Sequence, residues 1–223
     1  MPAVAGLAGE PHSASEPASD CPLCPRLADF RRANRQAFAT WHNAPVAAFG
    51  DHRARLLVVG LAPGLRGANR SGRPFTGDAA GDLLYPALER HGLARGSYGA
   101  RPDDGLELVD CRITNAVRCV PPENKPVAAE INCCRQFLRA ELASLQNLRL
   151  ILALGTIAHN SLLAALELKR RDHPFGHAAR YQLGAGRELI ASYHCSRYNV
   201  NTGRLTPRMF DAIFGGIRRA LDS

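Results

Sequence analysis

Apolar segments of strand length alternate with longer segments of helical periodicity along most of this chain, and that alternation limits the fold more than any other feature. The apolar segments are rich in valine, leucine and isoleucine, which is typical of strands buried on both faces. They span residues 55–60, 106–114, 148–155 and 187–194. The helical segments span residues 82–91, 126–145, 156–168 and 206–221. The sequence therefore predicts an α/β protein.

Several residues mark where the predicted helices begin. Glu130 places a negative charge near the positive end of a helix dipole, and Thr156 is expected to cap the next helix. Thr206 and Pro207 are also typical of a helix start. Strand–helix alternation predicts a parallel sheet with helices on both faces, and its functional residues lie beyond the carboxyl ends of the strands. That rim is expected to carry residues 61–78, 115–119, 155–156 and the segment from His194 onward.

The length of 223 residues suits one large domain. Residues 1–20 are rich in alanine, proline, serine and glycine, so we expect a disordered tail there and a single domain over residues 21–223. No run approaches the roughly 20 apolar residues that a membrane helix needs, and the N-terminus lacks the pattern of a signal peptide. We therefore expect a cytoplasmic protein, whose seven cysteines are reduced thiols or metal ligands.

Basic residues outnumber acidic ones by 28 to 20, and nearly all of the basic residues are arginine. Guanidinium groups match phosphate oxygens, and their binding releases condensed counterions, so this excess favours a polyanionic partner such as nucleic acid. The alternative is a soluble protein that is basic without having such a partner.

Cysteines form a candidate metal site. Cys21 and Cys24 make a CPLC pair, Cys119 lies in a loop with two following prolines, and Cys133 and Cys134 compete for a fourth position. Four thiolates hold zinc or an iron–sulfur cluster, and the spacing alone does not choose between them. The alternative is a chance CxxC pair, with the other cysteines in the core.

Four pieces of the chain, taken together and in this order, resemble the family 5 uracil-DNA glycosylases, the UDGb group. Three of them are GLAPGLRGANRSGRPFTGD at residues 60–78, TNAVRCVPPENKP at residues 114–126 and SYHCSRYNVNTGRLT at residues 192–206. The fourth is the set of cysteines. The resemblance covers nearly the whole chain from Cys21 to the end.

The resemblance implies a three-layer α/β/α sandwich around a central four-stranded parallel sheet, and a [4Fe–4S] cluster. By its distance along the chain from Cys119, Cys134 matches the family's fourth ligand better than Cys133, beside Cys21 and Cys24. The implied activity is hydrolysis of the N-glycosidic bond of uracil in DNA, which leaves an abasic site for base excision repair.

The resemblance also has departures. The family's last motif usually reads His-Pro-Ser, and here Cys195 stands in place of the proline, so we expect a looser loop after His194. The chain lacks the basic histidine-bearing insert of the related group that bonds covalently to uracil-DNA, so turnover is expected.

His194 ends the fourth predicted strand, where it can donate a hydrogen bond to the departing base oxygen as negative charge grows there. A histidine at a strand end is otherwise often a satisfied polar residue. Asn115 ends the second strand, and its amide can pair with the O4/N3 edge of uracil or form a local turn. Phe75 can stack on the flipped base or anchor its loop in the core.

The loop after the first strand lacks the polar residue that related enzymes use to handle water, because Ala62 is apolar. Asn69 and Asp78 in the same loop are our candidates for that catalytic role. With Ala62 lining it, the pocket is predicted to be permissive, so hypoxanthine and other deaminated bases are expected beside uracil.

The segment after His194 is expected to contact both base and DNA. Asn199 is predicted to bind the base or orient His194, while Arg197 and Tyr198 fill the gap left in the duplex and Arg204 adds a DNA contact. The alternative is a polar surface loop that leads into the last helix.

The sequence as a whole predicts a monofunctional, monomeric DNA-repair hydrolase, nucleoid-associated, that acts on uracil or related lesions in double- and single-stranded DNA. Two other functions compete with it. One is a non-catalytic DNA-binding module with a structural metal. The other is a nucleotide-binding α/β enzyme, which the absence of a Walker lysine disfavours.

Overall fold

The computed structural model describes residues 16–223, and a mixed six-stranded sheet forms its centre. The strands are β1 (Phe49–Gly50), β2 (Leu56–Gly60), β3 (Ala94–Arg95), β4 (Glu107–Leu108), β5 (Cys111–Asn115), β6 (Leu150–Leu154), β7 (Arg180–Gly184) and β8 (Arg187–Ser192). The helices are α1 (Pro25–Ala37), α2 (Ala68–Ser71), α3 (Gly81–Arg90), α4 (Ala128–Ser144), α5 (Thr156–Ala165), α6 (Arg197–Asn201) and α7 (Pro207–Asp222).

The order across the large sheet is β1-β5-β2-β6-β8-β7, and β3 pairs separately with β4. The four inner strands are parallel, which confirms the predicted parallel sheet. The prediction of a four-stranded sheet was wrong in strand number, because β1 and β7 add antiparallel edges. These edges carry weak signals: β1 is two residues long, and β7 alternates exposed with half-buried residues.

Helices cover both faces of the sheet, as the alternation of side chains along β2 makes clear. Leu56 and Val58 belong to the hydrophobic cluster that includes buried residues of α3 and α7. Leu57 and Val59 point the other way, into a cluster with α4 and α5. All five residues of β2 are buried, which explains its unbroken apolar sequence.

Some predicted elements needed correction. The strand predicted at residues 106–114 is split into β4 and β5, because Asp110 adopts a left-handed conformation (φ 54°). Its carboxylate accepts hydrogen bonds from the backbone N–H and Nε of Arg55, at 2.8 and 2.7 Å. Helix α1, directly after the CPLC pair, was not predicted.

Helix starts agree with the sequence in two of three places. Thr206 precedes α7 and its hydroxyl accepts from the backbone N–H of Met209, and the Glu130 carboxylate accepts from the N–H of Val127 at the start of α4. Thr156 is the first residue of α5 and not its cap. Gly155 occupies the capping position with a φ of 93°, a conformation that favours glycine.

The predicted tail at residues 1–20 is described only in its last part, and residues 1–15 lie outside the described residues. Glu16 accepts a hydrogen bond from the backbone N–H of Ala48 at 2.9 Å, and Asp20 pairs with Arg35. The chain therefore contacts the domain before Cys21. Within residues 16–223, no helix combines the length and apolarity needed to cross a membrane.

The loop between β2 and α3 is held by a buried ion pair. Both terminal nitrogens of Arg73 donate to the two carboxylate oxygens of Asp104, at 2.8 and 2.7 Å, and both side chains are about 95% buried or more. The Arg73 Nε donates to Thr76 at 2.7 Å, within the loop itself. The rings of Phe49 and Tyr85 each lie 5.3 Å from the guanidinium carbon. This pair fixes the second half of the loop.

Replacing Asp104 with asparagine is expected to destabilise the protein by about 3–5 kcal/mol at neutral pH, because it leaves the buried Arg73 charge uncompensated. The hydrogen bonds from Arg73 hold the pKa of Asp104 well below its usual value of 3.8. Its stabilisation is therefore complete above that value and is lost as pH falls through the lowered pKa. Urea unfolding from neutral to acidic pH measures this.

The matched control is Asp103→Asn, since Asp103 is exposed and, among residues 16–223, forms its one ion pair with exposed Arg101, at 3.7 Å. That change should alter the free energy of unfolding by less than about 1 kcal/mol. Equal effects of the two substitutions would contradict a central role for the Arg73–Asp104 pair.

Candidate active site

A cavity of about 270 Å³ opens at the carboxyl ends of β2, β6 and β8. Its walls combine residues that follow these strands with residues from the loop before β7 and from the segment after His194. They are Leu61, Leu154, Gly155, Thr156, Ile157, Ala158, Phe175, Tyr193, His194, Asn199 and Arg204. The cavity therefore lies on the rim where the sequence placed the functional residues.

His194 lies on the cavity wall and is partly accessible. Its Cβ packs closely on Gly155, where an added Cβ would lie only 3.3 Å away. Burial lowers the pKa of His194, while the charge of Asp78 acts in the opposite direction. The imidazole is therefore neutral at neutral pH, with one N–H available to donate to a substrate oxygen.

Phe75 and Asn115 meet over Gly60. A Cβ on Gly60 would lie 2.5 Å from Cζ of Phe75 and 2.4 Å from Oδ1 of Asn115, so only glycine leaves room for both side chains. The Phe75 ring also stacks towards His194, with 6.1 Å between ring centroids and 27° between planes. Three predicted site residues are thus brought together on the rim.

Asp78 and Asn69 occupy different environments although both lie in the same loop. Asp78 Oδ1 accepts from the backbone N–H groups of Ala80 and Gly81, at 3.0 and 3.1 Å. The negative charge of Asp78 acts to raise the pKa of His194. Asn69 is 1% exposed, and its amide donates to Oδ1 of Asn43 at 2.9 Å. Asn69 therefore braces the loop against Asn43, and neither Asn69 nor Asp78 is among the residues that line the cavity.

Ala62 faces the cysteine-rich side of the molecule. It packs against a small cluster of Leu27, Val117 and Cys134, and its neighbour Leu61 lines the cavity instead. The apolar character of this position is thus accounted for by packing between the loop and the cysteines.

The segment after His194 folds back over the cavity. The Asn199 amide donates to the carbonyl oxygen of His194 at 2.8 Å, so Asn199 braces the backbone of that histidine. The guanidinium carbon of Arg204 lies 4.6 Å from the ring centroid of Tyr193. Arg197 is exposed, and Tyr198 is 73% exposed at the start of α6.

Cys195 is fully buried in the core cluster that includes Leu205 and Phe210. We expected its replacement of a proline to loosen this loop. The thiol instead fills a position in the core, and this packing anchors the loop at its first residue after His194.

Sequence reasoning missed Phe175, Tyr193 and Ile157 as cavity residues. Tyr193 immediately precedes His194, so the rule that placed His194 on the rim applies to it as well. Phe175 lies between a short 3-10 turn and β7, where no periodic pattern gave a signal.

Five cysteines surround a second, smaller pocket: Cys21, Cys24, Cys119, Cys133 and Cys134. Burial, together with a hydrogen bond to the Cys133 thiol, raises the pKa of Cys24 to about 12, and burial raises that of Cys134 to about 12. Two N–H donors face the sulfurs. Arg31 donates to Sγ of Cys119 at 3.6 Å, and the backbone N–H of Arg118 donates to Sγ of Cys134 at 3.3 Å.

Comparison with known proteins gives a consistent family. The model of the uracil DNA glycosylase superfamily matches residues 47–217. A type-5 uracil-DNA glycosylase of Thermus thermophilus is 48% identical over 195 residues, which are 85% of this chain and 89% of the relative.

Two relatives from one organism, Pyrobaculum aerophilum, allow the chain to be compared with the type-5 and type-4 groups of the superfamily. Its type-5 uracil-DNA glycosylase is 41% identical over 191 residues (84% of this chain and 83% of the relative), and its type-4 uracil-DNA glycosylase is 35% identical over 182 residues (78% and 84%). The chain belongs to the uracil-DNA glycosylase superfamily and, within it, to the type-5 group.

Proposed function

We propose that this protein removes uracil from DNA by hydrolysing the N-glycosidic bond, and that it leaves an abasic site. The observation that carries this proposal is that His194 lines an open cavity on the rim of the sheet, with the buried Phe75 ring 6.1 Å from its ring and Asn115 next to Phe75 over Gly60. The membership of the type-5 group, whose named relatives are uracil-DNA glycosylases, supports the same activity.

The reaction begins with a base that is stacked in a duplex, and flipping it out costs roughly a few kcal/mol. Phe75 offers a face for the extruded base to stack on, and the Asn115 amide offers both a donor and an acceptor for its polar edge. As the bond to the sugar breaks, negative charge grows on the base. The neutral His194 then donates a hydrogen bond to that charge, which lowers the barrier.

Asp78 is our choice for the residue that positions the water. One of its oxygens is fixed by the start of α3, which leaves the other to accept from a water or to stabilise positive charge on the sugar. Its influence on the pKa of His194 supports a location within electrostatic reach of that side chain. Asn69 is disfavoured, because its amide is engaged with Asn43.

The range of bases follows from the cavity wall next to His194. Leu61, Leu154, Ala158 and Phe175 present apolar surface, which does not select between bases by hydrogen bonding. We therefore include hypoxanthine among the substrates. Neither of the chain's two lysines lines the cavity. We propose a monofunctional enzyme in which water, and not a protein amine, attacks the sugar.

The DNA side of the site involves the segment after His194. Tyr198 is exposed, and beside it Arg197 supplies positive charge, so together they suit insertion into the gap left by the flipped base. Arg204 is held over Tyr193 at the cavity and suits a contact with a phosphate. We propose that both double- and single-stranded DNA are bound, in the cytoplasm on the nucleoid.

Substitution of His194 by alanine is expected to reduce uracil excision by roughly 10²–10³-fold, because a donor to the developing anion is lost. The measurement is strand breakage by alkali in duplexes with one uracil opposite guanine. His52→Ala is the control, since His52 is exposed and lies before β2, at the opposite end of the strands.

A second series replaces uracil with hypoxanthine in the same duplex. Breakage at uracil alone would contradict the broader substrate range. No breakage at either base by the unmodified protein, with DNA still bound, would favour the non-catalytic DNA-binding module.

Asp78→Asn is expected to lower the pKa of His194 further, because the carboxylate charge that favours the imidazolium is removed. The asparagine oxygen can still accept from Ala80 and Gly81, so the start of α3 is retained. Excision should fall by about 10²-fold or more if Asp78 handles the water. NMR titration of His194 gives the pKa, and single-turnover assays give the rate.

The control for this variant is Asp82→Asn, an exposed carboxylate in the first turn of α3. It should leave both quantities unchanged. An unchanged rate in Asp78→Asn would restrict Asp78 to capping the helix.

We further propose that Cys21, Cys24, Cys119 and Cys134 hold a [4Fe–4S] cluster. Burial raises the pKa of three of these thiols, Cys24, Cys119 and Cys134, so they ionise side by side only when a positive group compensates their charge. Four thiolates suit either a zinc ion or an iron–sulfur cluster, and the choice of the cluster rests on the resemblance to the family. When bound, the cluster would join the segment that leads into α1, helix α4 and the loop after β5.

Cys134→Ser and Cys133→Ser form a matched pair on adjacent residues. Cys134 is 7% exposed and accepts from the Arg118 N–H, whereas Cys133 interacts with the carbonyl of Leu23 and the thiol of Cys24. We expect Cys134→Ser to lose iron, sulfide and visible absorbance, and Cys133→Ser to retain them. The reverse result would assign Cys133 as the fourth ligand, and zinc without iron would contradict the cluster.

A further inference from the structure

A groove of about 220 Å³ lies between the N-terminal halves of α4 and α5, beside the cavity that His194 lines. Asn132 and Arg135 line it from α4, and Arg170 lines it from the 3-10 turn that follows α5. Ile157 is 42% exposed and lines both the groove and the active cavity. The two spaces are therefore neighbours on the same rim.

Among the described residues that line the groove, two are arginines and none is acidic. Arg135 donates to Oδ1 of Asn132 at 2.6 Å, and its buried Nε has no partner. Among residues 16–223, no carboxylate lies within 4 Å of the guanidinium of Arg135 or Arg170, whereas the nearby Arg139 is paired with Glu167. Both guanidinium groups are thus available to an anion.

The surrounding groups also favour negative charge. Helices α4 and α5 are 17 and 10 residues long, and both begin on this rim, so the positive ends of their dipoles face it. The acidic residue in the first turn of α4, Glu130, is occupied by Arg26 at 2.8 Å. Asn132 and Asn160 add amide groups that can donate to phosphate oxygens.

We propose that this groove binds backbone phosphates of the DNA strand that carries the lesion, next to the flipped nucleotide. The inference rests on the proposed function, since the cavity beside Ile157 must hold that nucleotide. Phosphates beyond the flipped residue then run over Ile157 towards Arg135 and Arg170. Such contacts fix the position of the strand without reading its sequence, as a repair enzyme requires.

The test uses the full chain with Arg135→Gln, Arg170→Gln and the double substitution, and measures binding to a uracil-free duplex at several salt concentrations. Each substitution should weaken binding several-fold and reduce the slope of log affinity against log salt by about 1, because one phosphate contact is lost. Excision in single turnover at saturating enzyme should stay unchanged.

The control is the double substitution Arg53→Gln and Arg149→Gln. It removes two positive charges, as the double groove variant does, but at the amino ends of β2 and β6, away from the rim. It should leave the slope unchanged. An unchanged slope in the folded groove variants would overturn the proposal, and so would lost excision at saturating enzyme. Absence of excision by the unmodified protein would contradict the proposed function instead, while the slopes would still decide whether the groove binds phosphate.

Discussion

A guanidinium inside a protein loses the hydration that stabilises its charge, and Arg73 is in that situation. Asp104 compensates the charge with two parallel hydrogen bonds, and aromatic rings surround the pair. Few other loop conformations would satisfy both partners at once, so the pair fixes the second half of the loop between β2 and α3. Phe75 and Asp78 follow Arg73 within five residues, and their positions on the rim depend on this one interaction.

The same loop is held at its beginning by a different kind of contact. Ala62 packs against Leu27 and Cys134, in the cluster that borders the cysteine pocket. The loop is thus clamped between apolar packing at one end and an ion pair at the other. A group bound by the cysteines would stabilise the packing of Ala62 at the beginning of the loop. The cysteine centre can therefore matter for base excision although its ligands do not line the cavity.

The rim and its principal residues were predictable, because buried parallel strands leave an unmistakable apolar signature and their ends must meet. His194 and Asn115 follow directly from that rule. The edge strands were not predictable, since two residues or a half-exposed segment give no such signature. Whether Asn69 or Asp78 is free to act on water depends on the hydrogen bond from the Asn69 amide to Asn43, which lies far away in the sequence. Phe175 reaches the cavity from an irregular loop. Such long-range contacts have no trace in local sequence.

The complete burial of Cys195 divides the cysteines of the protein into two chemical classes. Cys111 is also fully buried, so no alkylating reagent or disulfide reaches either thiol in the folded state. The other five line the second pocket and are at least partly accessible, apart from Cys134. The thiols that a reagent reaches in the native protein therefore lie in the cysteine pocket. The number of thiols that react reports directly on whether that pocket holds a bound group.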